Sequence, residues 1–217
     1  MQKSSYVLGL DSVQKATQVF LKPLGFRKKG RTHRRTTSEG LCHVINFQMG
    51  EYPIGDHYVI PGIRESYYGL FTVNLGIFLP CVNRAEFQAE APANIQEYHC
   101  PIRERLSSLA YGKDEWFSLS SDTSSISSRI VDLFDRFGLP FFDQFNSYQD
   151  VLVYYKKYGD LPFRNQGRAA LDVAIVAKEV GDDALAEKLF ELAYAWDNPA
   201  FKRHVSAIAS REGYKIG

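Results

Sequence analysis

Near residue 120 the spacing of apolar residues changes from two to between three and four, and that switch limits the fold more than any other feature. Before it, Leu41 to Met49 alternates, with Cys42, Val44, Asn46 and Gln48 on one face and Leu41, His43, Ile45, Phe47 and Met49 on the other. Gly69 to Leu79 is a second strand, rich in Phe, Val, Leu and Ile, which Pro80 stops. Phe26 to Thr36 has no helical period and reads as a strand closed by the turn Thr37-Ser38-Glu39-Gly40, and Tyr98 to Ile102 and Glu115 to Leu119 add two shorter ones. Strands that follow one another without helices between them pair antiparallel.

Helices flank this block. Asp11 to Leu24 places Val13, Ala16, Val19, Phe20 and Leu24 at helical spacing, and Pro23 and Gly25 end it. Beyond the switch, Ser124 or Ser125 opens a helix carrying Ile126, Ile130, Leu133, Phe134 and Phe137, which Gly138 and Pro140 close. Tyr148 to Tyr158, Ala169 to Val180, a helix capped by Asp182 and one begun by Asn198-Pro199 follow. The expected fold class is α+β: an antiparallel sheet preceded by one helix and followed by a C-terminal helical segment. Residues 1–145 form the sheet domain, and residues 146–217 a helical extension packed on it as one structural unit.

A chain of 217 residues with 45% hydrophobic and 24% charged side chains is globular and needs no staple. Three widely spaced cysteines with no CxxC pair fit reduced thiols better than a disulfide framework. Met1 to Leu10 is too polar for a signal peptide, and no apolar run approaches the roughly 18 residues of a membrane span. A cytoplasmic protein without membrane contact is expected. Its net charge of +1 argues against a generic polyanion binder. The charge is unevenly spread, however. Residues 1–108 carry 13 Lys+Arg and 9 Asp+Glu, and residues 109–217 carry 13 and 16, so an acidic partner would meet the sheet half.

The run Leu24-Gly25-Phe26-Arg27-Lys28-Lys29-Gly30-Arg31-Thr32-His33-Arg34-Arg35 resembles the bacterial family catalogued as domain of unknown function 4304. So do Val44-Ile45-Asn46-Phe47-Gln48 and Phe71-Thr72-Val73-Asn74-Leu75-Gly76-Ile77. The resemblance covers roughly the first two thirds of the chain. It implies an α+β domain of bacterial origin, of a kind that sits beside polymorphic toxins, where immunity proteins are found. It implies no chemistry.

Two stretches stand out as binding candidates. As one strand, the basic run would put Arg27, Lys29, Arg31, His33 and Arg35 on one face and Lys28, Gly30, Thr32 and Arg34 on the other. That face suits an acidic protein surface. It also suits phosphates, where five contacts would give a salt slope of about −4.5, and equally an edge strand kept from aggregating by its charge. The second stretch, Gly50 to Tyr68, offers Tyr52, His57, Tyr58, Tyr67 and Tyr68 inside a rim of Asp56, Arg64 and Glu65. Tyrosine and arginine are enriched at interface hot spots.

Catalytic signals are thin. Cys42-His43 and His99-Cys100 lie on candidate strands, where adjacent residues face opposite ways, so each pair gives one ligand to a common zinc site or one member of a dyad. Asn46, Gln48 and Asn74 either bond to one another or line a pocket. Asp183, Glu187 and Glu191 read as a solvated helix face. No phosphate loop, GxGxxG, HExxH or GxSxG sequence occurs, so the common signatures give no enzyme hypothesis, and no cofactor or metal is expected. The expected function is protein binding, with a toxin as the candidate partner and nucleic acid as the alternative.

Overall fold

Ser4 accepts a hydrogen bond from the Val7 amide at 3.3 Å and so starts α1, Ser5–Leu21, well before the expected Asp11. The longer helix turns a different stripe inward. Leu10, Val13, Gln14, Thr17 and Leu21 are buried, whereas Val19 and Leu24 are exposed. Thr17 can be buried because its hydroxyl donates to the Val13 carbonyl at 2.9 Å. A 3₁₀ turn, Lys22–Leu24, ends at Gly25 in the left-handed region.

The computed structural model describes residues 4–50, 59–61, 66–120 and 122–216. Its sheet is antiparallel, as expected. The strands are β1 (Arg27–Lys29), β2 (Thr32–Thr36), β3 (Cys42–Met49), β4 (Leu70–Phe78), β5 (Ile102–Arg105) and β6 (Phe117–Ser118). Their order is β1-β2-β3-β4-β5, with β6 also on β4 through Phe71↔Phe117.

The expected single strand from Phe26 to Thr36 is a hairpin instead. Gly30, at φ +63°, and Arg31 make a two-residue turn that pairs Lys29 with Thr32, Lys28 with His33 and Arg27 with Arg34. The predicted face of Arg27, Lys29, Arg31, His33 and Arg35 therefore does not exist. The strand expected at Tyr98–Ile102 is also displaced: Glu97–His99 is a 3₁₀ turn, and β5 starts at Ile102. Gly138 and Pro140 do not end their helix either. α4 (Thr123–Leu133), capped by Asp122, runs through a π-helical turn, Phe134–Gly138, into α5 (Leu139–Asp143). Proline has no amide and clashes with the carbonyl four residues back, and the wider turn lies where that clash would fall.

Pro80 both stops β4 and opens α2 (Pro80–Phe87), since a first helical position needs no amide. The remaining helices are α3 (Leu106–Tyr111), α6 (Tyr148–Tyr158), α7 (Gln166–Glu179), α8 (Asp183–Tyr194) and α9 (Pro199–Arg211). Ser147, Asn165, Asp182 and Asn198 cap the last four, each through its side chain.

Chain packing divides into two compact units. The first comprises Met1–Arg35, Val44–Leu75 and Glu104–Phe141, and the second Thr36–His43, Gly76–Arg103 and Phe142–Gly217. The first unit's core is aromatic: Phe47 lies against Phe71 and Phe134, and Phe71 against Phe117. In the second, α7 is the centre. Ala169 to Ala177 are all buried, and α2, α6 and α8 pack around them.

Candidate functional site

In the first unit the two sequence candidates meet at one end of the sheet. Arg31 sits at the tip of the β1–β2 hairpin, its carbonyl accepting from the Phe47 amide at 3.0 Å and its guanidinium reaching the Met49 sulfur at 3.7 Å. The next residue, Gly50, donates to the Leu70 carbonyl at 2.8 Å. A Cβ at Gly50 would collide with the Tyr67 carbonyl oxygen, so only glycine lets these two backbones approach so closely. Tyr67 then stacks on Trp116, with centroids 4.6 Å apart, and the Arg105 guanidinium lies 5.5 Å from the Trp116 ring while it pairs with Asp114. Tyr68 meets Tyr6 edge to face at 5.2 Å. Tyr67 and Tyr68 are 42% and 41% exposed, enough to offer ring area to a partner while their inner edges stay fixed.

The basic residues divide three ways. Arg27, Lys28 and Lys29 are exposed on the edge strand, and no carboxylate among the described residues pairs with them or with Arg34. Arg27 and Arg34 are direct cross-strand partners, an unfavourable like-charge pair. Arg35 instead folds back, its guanidinium 4.8 Å over the Phe26 ring and 3.4 Å from the Leu24 carbonyl. Arg35 is thus not brought to the Arg31–Tyr67 rim. Tyr52, His57 and Tyr58, with Asp56, Arg64 and Glu65, lie outside the described residues.

His33 is fully buried against Phe47, and neither ring nitrogen finds a hydrogen-bond partner among the described residues. Burial, helped by the charge of Lys28 opposite, lowers its pKa from 6.5 to about 4. It is therefore neutral at pH 7 and is no part of the basic surface. Because the folded value lies below the unfolded one, His33 stabilises fully above pH 6.5, and that contribution is lost as pH falls toward 4. At 1.36 kcal/mol per tenfold the loss is on the order of 3 kcal/mol. His33→Leu should match or exceed the parent's stability at pH 7 and gain on it steadily down to pH 4. Urea unfolding at several pH values tests this, and a constant difference between the two proteins would refute it.

The motif amides satisfy one another. Asn74 donates to Gln48 at 2.9 Å, and Asn46 donates to the Thr32 hydroxyl at 3.1 Å. They brace β2, β3 and β4. The cysteine–histidine pairs are structural too. His43 Nε2 lies 2.8 Å from the Phe145 carbonyl and its ring stacks on Phe142, while His99 Nδ1 accepts from the Gln96 amide. Burial pushes the Cys100 thiol well up and the Cys81 thiol to about 12, which holds both protonated. No group of three or more His, Cys, Asp or Glu among the described residues could hold a metal.

Sequence reasoning missed the second unit's charged cluster. Asp172, in the middle of α7 and 0% exposed, lies 3.0 Å from Arg164 Nε and 3.5 Å from Arg168 Nε. Neither N–H points squarely at its oxygen, so these are charge pairs more than hydrogen bonds. Arg168 also pairs with the buried Glu86, which His204 approaches at 3.5 Å. Burial raises the Asp172 pKa to about 6 against the pull of both arginines. The Arg168–Asp172 spacing of four was the available signal, but it is the spacing of an ordinary surface pair.

The residues that carry this architecture match a known family model, described as Domain of unknown function (DUF4304), over residues 18–144. The chain belongs to this family. No curated protein and no solved structure matches it. The DUF4304 match takes in the basic hairpin, the Asn-Phe-Gln and Val-Asn-Leu-Gly strands, Tyr67 and Trp116, and ends before α6. Of the charged cluster around Asp172 only Glu86 falls inside it; Arg164, Arg168, Asp172 and His204 lie beyond its limit. No helix among the described residues is long and apolar enough to cross a membrane.

Proposed function

We propose that this DUF4304 protein is a bacterial cytoplasmic binding module that docks an acidic protein surface on the rim running from Arg31 to Tyr67 and Trp116. An immunity protein that neutralises a toxin is the specific form of this reading. The observation that carries it is the convergence of Arg31 and Tyr67 through Met49 and Gly50. A cation, two half-exposed tyrosines and a tryptophan are the residue types that dominate interface energetics. The cations of Arg27, Lys28 and Lys29 flank them and lack carboxylate partners among the described residues, which suits an acidic counterpart and fast, steered association.

A photo-crosslinking residue at position 67, introduced in the native host, should capture a single protein, whereas one at Lys202 on α9 should not. With that protein purified, Arg31→Ala and Tyr67→Ala should each weaken the complex at least tenfold, about 1.4 kcal/mol. Unchanged affinity in both variants would sink the assignment. Tyr58→Ala is expected to act in the same direction.

Arg27, Lys28 and Lys29, which no carboxylate among the described residues pairs with, also favour a second reading, contact with nucleic acid. It requires binding that falls steeply with salt, and a flat salt response removes it.

A further inference from the structure

The second unit carries an open groove of about 940 Å³ that uses no residue of the Arg31–Tyr67 rim. Val173 of α7 and Val180 just past its end line it, α6 supplies Leu152, Val153 and Lys156, and α8 supplies Leu185, Lys188, Leu189 and Leu192. The spacing on α8, at i, i+4 and i+7, is that of a buried helix stripe. Yet Leu192 is 53% exposed, and Val153 across the groove is 57% exposed. Apolar side chains of this size, gathered on two helices beside two further valines, form a face that a further element would cover.

We infer that this groove binds an amphipathic helix of a partner protein whose flanks are acidic. Three features of the groove select that occupant. The walls are themselves helices, so a third would seat its apolar residues, spaced at i, i+3 or i+4 and i+7, between them as in helix-in-groove recognition. Lys156 on one wall and Lys188 on the other are exposed, and no carboxylate among the described residues pairs with either. A helix lying between them would therefore meet a cation on each side. Finally, the groove lacks the convergent buried polar groups that orient a small molecule. Asp182 lies at its end, and its carboxylate is already occupied in capping the Leu185 amide at 3.1 Å.

The test is selection of displayed helical peptides of about 12 residues, the length of α8, on the full-length protein. Enriched sequences should carry the apolar spacing with Asp or Glu on both flanks. They should bind at least tenfold more weakly to Leu192→Asp, and Lys156→Glu/Lys188→Glu should reverse the preference toward basic flanks. Both sets of changes are at exposed positions, and unchanged thermal melts verify that they fold. Enrichment of uncharged or basic sequences, no enrichment at all, or equal binding by Leu192→Asp would overturn the proposal. So would sedimentation showing a dimer of this chain that Leu192→Asp dissociates, since the occupant would then be a second copy.

Discussion

Replacing Asp172 by asparagine will lower stability by about 3 kcal/mol at neutral pH, because it removes the buried partner of two guanidiniums. Arg168 keeps Glu86, but Arg164 loses its only described ion-pair partner. At a length of 217 residues this amounts to a fall in Tm on the order of 10 °C. The pair itself is no large source of stability. Burial disfavours the ionised carboxyl more than the arginines favour it, which is why the folded pKa lies above the usual 3.8, at about 6. The folded state therefore binds the proton more tightly than the unfolded chain does. The parent gains stability relative to the non-titrating asparagine variant as pH falls from about 6 to 4, so the deficit of the variant widens in that window.

Two variants separate the pair's cost from the cost of breaking it. Asp172→Leu should be strongly destabilising, and Arg164→Met added to it should recover much of the loss, since an apolar replacement for a buried pair is often neutral or better. Urea unfolding at pH 7 and pH 5 measures all of this. A deficit below about 1 kcal/mol for Asp172→Asn, or one that narrows toward pH 5, would contradict the account.

What was legible in the sequence follows from where the signals were local. Asp182, and Asn198 before Pro199, mark helix starts through chemistry confined to one turn, and the starts of α8 and α9 fall there. The alternation of β3 and the apolar run of β4 were equally local. The β1–β2 hairpin was not visible, because a charged run has no apolar alternation to show a reversal and Gly30 is its sole turn residue. At Gly138-Pro140 the usual stop signal was present but was absorbed by one π turn. Arg31 and Tyr67 were each singled out, but their meeting depends on the pairing of β2, β3 and β4, which no local pattern encodes. Asp172 was hidden for another reason: an aspartate four residues after an arginine looks like a surface pair until the burial of α7 is known.

Gly76→Ala should destabilise the protein by about 2–3 kcal/mol, and the reason lies in the strand motif Val73-Asn74-Leu75-Gly76. A glycine inside a strand normally weakens it, so its presence in β4 marks a close approach by another group. That group is Cys100. A Cβ built on Gly76 would lie 2.7 Å from the Cys100 sulfur and 2.9 Å from its Cβ, with the Glu97 Cα at 3.5 Å. Cys100 is only 2% exposed, and its thiol donates to the Gln96 carbonyl at 3.5 Å, so it cannot swing away into solvent. The added methyl must therefore displace the segment that carries it. Removing the obstacle should restore room. Cys100→Gly will be destabilising alone, but combined with Gly76→Ala its cost should fall short of the sum of the two by at least about 1 kcal/mol. A double-mutant cycle by urea unfolding reads this coupling directly. Strict additivity would mean that the glycine answers to something other than the cysteine packed against it.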